Sequence, residues 1–391
     1  MPQPLQTLFL TRSLNYGGSE RQLVELAIGL HRLGRSVAVA TFYSGGAFHA
    51  HLASAGVPVY SLGKGSRWDV IRFAWRLVHL TYHLRPQILH GYLSTANILT
   101  VVLRPFCPMM SVIWGVRASN MELERYGWLE RLVYRMECRL STRADVILVN
   151  SHAGLDYAVG HGFPQEKMIV IANGIDTERF RPDQESRTRL REAWGIEEHE
   201  HLIGLVGRLD PMKGHVTFVN AAALLVRQRP NVRFVCVGDG PECYQRRLLE
   251  LSEELGLHGR LQWVPACEHI ASMYNAFDIA TSASSYGEGF SNVVGEAMAC
   301  EISCVVTDVG DGKRIVGETG SVVPANDPQS LASAWERMLD LEPAEAKRQG
   351  QRARERILCE FSLSRLIETT SRVLDAVLPR GEERTGGHGR I

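Results

Sequence analysis

Ser285-Tyr286-Gly287-Glu288-Gly289-Phe290-Ser291-Asn292-Val293-Val294-Gly295-Glu296-Ala297-Met298-Ala299 follows an apolar run of strand length, residues 279–282. It passes into a run of helical period from residue 292 to 299. Strand, glycine-flanked turn and helix in that order form the unit of a parallel sheet covered on both faces. Glu288 stands in the turn, and Glu296 follows eight positions later inside the helix. Gly289 lets the backbone approach a ligand closely with its N–H groups free. A helix starting just after it aims its positive end at the same spot. Glu288 should hang over a pocket suited to an anion and hydroxyls, with Glu296 facing inward two turns on. Donors for a diphosphate and carboxylates for sugar and ribose hydroxyls fit a sugar nucleotide.

The alternation extends outward in both directions. Strands are expected at 7–11, 37–42, 57–61, 88–90, 110–114, 146–150 and 168–171, with helices at 19–33, 48–55, 67–84, 95–103 and 122–141 between them. The pattern pauses at Asn173-Gly174-Ile175-Asp176 and the charged stretch 179–200, then restarts. Strands at 202–206, 232–237, 261–264, 279–282 and 304–307 alternate with helices at 216–228, 242–255, 270–275 and 293–299. Helices at 328–339, 344–358 and 364–378 close the chain, and the polar, Gly-rich tail 381–391 is expected to be disordered. Two doubly wound units on one linker leave a cleft between the carboxyl ends of their strands, where such sheets bind ligands.

Three more stretches carry candidate chemistry. Asn15-Tyr16-Gly17-Gly18-Ser19-Glu20-Arg21 turns the first strand into the first helix, with Ser19 as N-cap and Gln22 completing a capping box. Gly207-Arg208-Leu209-Asp210-Pro211-Met212-Lys213-Gly214-His215 follows a strand, and two cations five apart on such a loop can clamp a diphosphate from two sides. They would also stabilise charge building on a leaving group. In Val237-Gly238-Asp239-Gly240-Pro241 the glycines shape a turn and Asp239 caps a helix. His90 and Arg117 are read at strand ends facing the cleft. His90 is suited to proton work near neutral pH, and a structural histidine is the competing reading. Arg117 could hold an acceptor phosphate or carboxylate. Asn173-Gly174 reads as a hinge turn.

Together these stretches resemble the retaining glycosyltransferases of family 4, with their Glu-x7-Glu, Gly-Arg-Leu-x-x-x-Lys-Gly and N-terminal Gly-Gly motifs. The resemblance covers roughly residues 7–375 and is strongest over 170–325. It implies an α/β chain of the GT-B type, two facing Rossmann-like domains with parallel sheets and an interdomain cleft. The expected parts are an acceptor domain at 1–180, a linker at 181–200, a donor domain at 201–361, a helix at 362–380 crossing back to the first domain, and the tail at 381–391. Carried over onto this chain, the donor site comprises Gly17, Gly18, Arg208, Lys213, Val264, Glu288, Gly289, Phe290, Ser291, Asn292 and Glu296. Glu288, Arg208, Lys213 and His90 are the catalytic candidates, and Arg117 the acceptor contact. The family commonly has a histidine near the strand end where this chain has Trp114-Gly115, which leaves the role of His90 open. Trp263 and Pro265 depart from the usual Phe-x-Gly setting around Val264 and leave the base open, UDP being favoured over GDP. Glu301-Ile302-Ser303 replaces the usual Gly-x-Pro and Gly310-Asp311-Gly312 the usual Gly-Gly, so this wall is expected to be less ordered.

The 391 residues are 45% hydrophobic and 22% charged, as in an ordinary soluble globular chain with large cores. Net charge is formally zero, yet residues 1–143 hold 16 Lys and Arg against 7 Asp and Glu, leaving 27 against 36 in the remainder. Basic helices with aromatics at 67–84 and 122–141 suggest peripheral contact with an anionic membrane. No nucleic-acid module is seen, so nucleic acid is not expected as a partner. The eight cysteines lack Cys-x-x-Cys or zinc spacing and are read as reduced, mostly buried thiols. The first residues lack the basic, then apolar, then small-residue pattern of a signal peptide, so none is expected, and a cytoplasmic location, peripheral on the inner face of the membrane, is expected. No Asp-x-Asp motif is present, so neither a metal nor another cofactor is expected. The implied activity moves a sugar from a nucleoside-diphosphate sugar to a glycan or lipid-linked acceptor in bacterial polysaccharide or envelope synthesis. A sugar-nucleotide epimerase or hydrolase on the same fold, or an inactive nucleotide-binding partner, are the alternatives.

Overall fold

A computed structural model of the chain describes residues 5–66, 69–117, 119, 127–267 and 269–378. The tail 381–391 and the starts of the helices expected at 67 and 122 lie outside the described residues. The first sheet contains β1 (Thr7–Thr11), β2 (Val37–Thr41), β3 (Val59–Ser61), β4 (Ile88–Tyr92), β5 (Ser111–Val116), β6 (Val146–Val149) and β7 (Met168–Val170). The second contains β8 (His201–Val206), β9 (Val232–Val237), β10 (Leu261–Val264), β11 (Ile279–Ser282), β12 (Ser303–Thr307) and β13 (Ser321–Val323). The orders are β3-β2-β1-β4-β5-β6-β7 and β10-β9-β8-β11-β12-β13, and every pairing is parallel.

Alternation along each strand explains the layers. Leu8 and Leu10 face one core with Trp114 and Phe73, whereas Phe9 between them faces another with Leu26 and Leu30. In the second sheet Ile203 and Leu205 pack with Phe218 and Trp335, and Leu202 packs on the other face with Phe277 and Met298. Both sheets are therefore buried on both faces, as strands of near-continuous hydrophobicity require.

The chain crosses between the units twice, and the crossings pair with each other. Ile175 N–H donates to Phe361 O at 2.8 Å, and Leu363 N–H donates to Ile175 O at 2.9 Å. The final helix, Leu363–Val377, then lies on the first domain. Its Leu366 and Leu374 enter the core beside Phe9, and Arg35 donates to Ser371 Oγ at 2.7 Å.

Residues 181–200 are not an open linker throughout. Gln184–Ala193 is a helix capped by Asp183. Arg187 and Arg191, one turn apart, both grip Asp278 of the second unit, at 2.5 and 3.1 Å. Among the cysteines only Cys236, Cys300 and Cys304 are buried, while Cys243, Cys267 and Cys359 are exposed.

Candidate active site

The strands of both sheets end at the cleft, and short loops after β8, β9 and β11 form one wall of it. Asp210 turns the first loop by accepting from Met212 N–H at 3.0 Å. Gly214 then adopts φ +67, with no room for a side chain against Ala283 O. This aims Lys213 back across the loop, where its Nζ donates to Glu288 Oε2 at 2.6 Å. Ser284 Oγ donates to the same oxygen at 2.9 Å. Glu288 is 9% exposed, and its turn is fixed by Gly287 at φ +73 and by Asp311 N–H donating to Gly289 O at 3.0 Å. Arg208 is exposed and pairs with Asp210 at 3.0 Å.

Glu296 sits in the helix Asn292–Ala299 and is 2% exposed. Tyr274 OH donates to its Oε2 at 2.9 Å, and Arg21 from the other domain donates to Oε1. The pairing raises the Arg21 pKa, Glu296 being the main cause. Burial, followed by Glu296, raises the Tyr274 hydroxyl well above its ordinary value and keeps it a donor. Glu25, one turn beyond Arg21, is pushed up to about 7, chiefly by burial.

The opposite wall is the first helix, Gly18–Arg32, together with the ends of β5 and β6. Gly17 is its N-cap and makes no side-chain capping bond. The capping box expected from Ser19 and Gln22 is absent, because Gln22 has a better use. Its carboxamide donates to Gly174 O at 2.8 Å and accepts from Gly174 N–H at 2.9 Å, buried at the hinge. Gly18 lies against the second domain, where a Cβ would stand 3.1 Å from Asn292 Nδ2. Asn173 completes the seam, donating to Asn292 Oδ1 at 2.8 Å and accepting from Arg117 at 3.1 Å. Arg117 also lies 4.5 Å over the Tyr92 ring.

These groups line a cavity of about 530 Å³ between the domains. Gly17, Gly18, Arg117, Arg208, Lys213, Glu288, Gly289, Phe290, Asn292 and Glu296 all border it. Three of the expected residues do not. Ser291 is buried, with an Oγ that meets no partner among the described residues. Val264 gives its carbonyl to Gly238 N–H at 2.9 Å, and the neighbouring Ala266 and Cys267 reach the cavity instead.

His90 is the third, and the reading of it at the cleft mouth is corrected. β4 runs on through Gly91 and Tyr92, which pair with Trp114 and Gly115, so His90 stands in mid-strand. It is 0% exposed, between the rings of Phe9 and Tyr92, and neither ring nitrogen has a partner among the described residues. Burial, with Arg117 adding to it, lowers its pKa to about 3, so it stays neutral.

The wall read as less ordered is held instead. Both Asp311 carboxylate oxygens accept from the first domain, from His152 N–H at 2.8 Å and Ala153 N–H at 2.9 Å. Glu301 has φ +63, the left-handed conformation after a helix end that glycine adopts without strain. Sequence reasoning missed Arg21, Tyr274 and Ser284. Only Arg21 left a signal, its place on the first helical turn after the Gly-Gly loop.

Two facing parallel-sheet domains, with opposed cations and carboxylates in the cleft between them, define a GT-B protein. The description "Glycosyltransferase Family 4" matches residues 16–179, and "Glycosyl transferases group 1" matches residues 186–356. The chain belongs to this family of glycosyltransferases. It is 32% identical over 218 residues to the D-inositol 3-phosphate glycosyltransferase of Corynebacterium urealyticum, covering 52% of this chain and 50% of that one. It is 27% identical over 264 residues to the lipopolysaccharide core biosynthesis mannosyltransferase LpsB of Rhizobium meliloti, covering 66% and 70%. The chain thus spans about half the length of the first of these relatives. The crystal structure of Anabaena Alr3699/HepE in complex with UDP-glucose shares the fold, with a TM-score of 0.85, 21% identity and coverage of 95% of this chain and 99% of that one.

Proposed function

We propose that this chain moves a sugar from a nucleoside-diphosphate sugar, UDP being favoured, to an acceptor hydroxyl with retention at the anomeric carbon. The observation that carries the reading is the Lys213–Glu288 pair at 2.6 Å on the cavity wall. A diphosphate entering there would draw Lys213 away and leave Glu288 to accept from sugar hydroxyls. Arg208 would swing from Asp210 to the same phosphates, and Glu296 would take the ribose. The UDP-glucose complex of Anabaena HepE, on the same fold, supports UDP.

In the reaction the bond from C1 to the phosphate oxygen breaks, and one from C1 to the acceptor oxygen forms on the same face. The acceptor proton passes to the departing phosphate, whose charge Lys213 and Arg208 offset. This route needs no covalent carboxylate intermediate. It also needs no divalent ion, since cations and backbone N–H groups meet the phosphate charge.

Arg117, at the first-domain side, would receive a phosphate or carboxylate of a glycan or lipid-linked acceptor. The exposed Ile71, Trp75 and Trp128, with Arg72 and Arg131 on the same helices, suit an anionic membrane surface. Among the described residues no helix is long and apolar enough to cross a membrane. An envelope-polysaccharide role in the cytoplasm, at the membrane's inner face, follows from this reading.

The test is a thermal-shift panel of UDP-, GDP- and ADP-sugars in the presence of EDTA. Ligand that binds only the folded chain raises its melting point. One nucleotide class should shift the wild type and lose its effect in Lys213→Ala and Glu296→Ala. No shift with any sugar nucleotide would refute the donor site.

A further inference from the structure

A second cavity, of about 740 Å³, lies elsewhere along the domain seam. Three parts of the chain meet in it. The first domain contributes Ile171 and Ala172, the returning helix contributes Arg365 and Leu366, and the second domain contributes Lys313 to Ile315. Of the residues bordering the two cavities, only Asn173 borders both.

Around this cavity the cations outnumber the acids free to pair with them. Its two acids are engaged, since both Asp311 oxygens accept from His152 and Ala153 N–H and Glu360 pairs with Arg356 at 2.8 Å. The Lys313 ammonium and the Arg314 guanidinium have no hydrogen-bond or ion-pair partner among the described residues, and Arg365 spends one N–H on Cys359 O at 3.3 Å. Lys213, Arg208 and Arg21 in the cleft are each matched by a carboxylate. The apolar part of the same lining comes from Ile171, Ala172, Ile315, Phe361 and Leu366.

Free cations beside an apolar surface call for a ligand with an anionic head and a carbon body. The volume falls in the range of small-molecule sites, roughly 300–1,000 Å³. We propose that this cavity is a second ligand site, binding an organic phosphate monoester. The phosphate lies among Lys313, Arg314 and Arg365, and the carbon body lies on Ile171, Ile315 and Leu366. Because both domains and the returning helix contribute, an occupant favours the interdomain angle at which all three reach it.

Phenyl phosphate is the probe, titrated by calorimetry into the wild-type chain, into Lys313→Ala/Arg314→Ala, into Arg365→Met and into Lys213→Ala. Lys313, Arg314 and Arg365 are exposed, so these variants keep the fold. Saturable binding is expected in wild type and in Lys213→Ala, weakened about tenfold or more without the Lys313 and Arg314 cations, and weakened also in Arg365→Met. Inorganic phosphate, lacking the body, should bind more weakly than phenyl phosphate. No saturable heat in wild type, equal affinity in Lys313→Ala/Arg314→Ala, or loss of binding in Lys213→Ala would overturn the proposal. The last outcome would assign the probe to the cleft.

Discussion

The two walls of the cleft are built differently. On the second-domain wall the functional side chains sit on short loops at strand ends and on the helix that follows one of them, each one continuous stretch of sequence, as at 207–213 and 287–296. On the first-domain wall a single helix, Gly18–Arg32, reaches far along the chain. Its Arg21 bonds Glu296, 275 residues away, and its Gln22 bonds Gly174, 152 residues away. The donor-facing groups are thus arranged locally, whereas the first-domain wall is joined to the rest by long-range polar contacts, from this helix and from the Asp311 and Asn173 seams.

The hardest test of that contrast is Arg21→Leu. It leaves the Glu296 carboxylate buried with Tyr274 as its remaining donor, and losing one partner of a buried pair costs about 3–5 kcal/mol. Urea denaturation should show a loss of this order, and Glu296→Gln in the same chain should recover much of it. A loss under 1 kcal/mol would mean that the long-range wall does not depend on this pair.

Gln22→Ala strips both bonds from the Gly174 backbone. An unsatisfied buried group costs about 1–3 kcal/mol, and exchange of the Gly174 amide should quicken at the hinge. Unchanged exchange there would remove Gln22 from the account.

A change on the local wall should have a local effect. Glu301 holds a left-handed conformation that costs a side-chain-bearing residue roughly 1–2 kcal/mol. Glu301→Gly should therefore raise the unfolding free energy by about 1 kcal/mol, read from the urea midpoint, and leave donor binding unchanged.

The smallest effect on the transfer rate is expected at His90. Its folded pKa of about 3 lies below the ordinary 6.5, so its contribution to stability is complete above pH 6.5 and is lost as pH falls toward 3. His90→Leu should flatten part of the stability loss between pH 6.5 and 4 and leave the transfer rate within about twofold of wild type, since the side chain touches neither cavity. A rate loss of about a hundredfold would return His90 to the catalytic set.

What could be read from the sequence follows the same division. Glu288, Arg208 and Lys213 could be read because each lies within a few residues of a glycine and a strand end, and Glu296 because it continues the helix that the same turn starts. Arg21 and Gln22 were not, because nothing near them names Glu296 or Gly174 as a partner. The charged segment 184–193 read as linker because Asp278, which holds its two arginines, lies about ninety residues on. β13 is three residues long and left no periodic signal. His90 was misplaced by an error of two residues in one strand end, enough to move a side chain from the cleft mouth to the core.

The central claim is that Lys213 and Arg208 are held by carboxylates until a nucleotide diphosphate takes them. A crystal structure of the chain with UDP tests it most directly. The account predicts UDP between the Gly17–Gly18 loop and the 207–213 loop, with Lys213 Nζ on a phosphate oxygen and no longer 2.6 Å from Glu288. UDP bound elsewhere, or bound there with the Lys213–Glu288 pair unbroken, would contradict it.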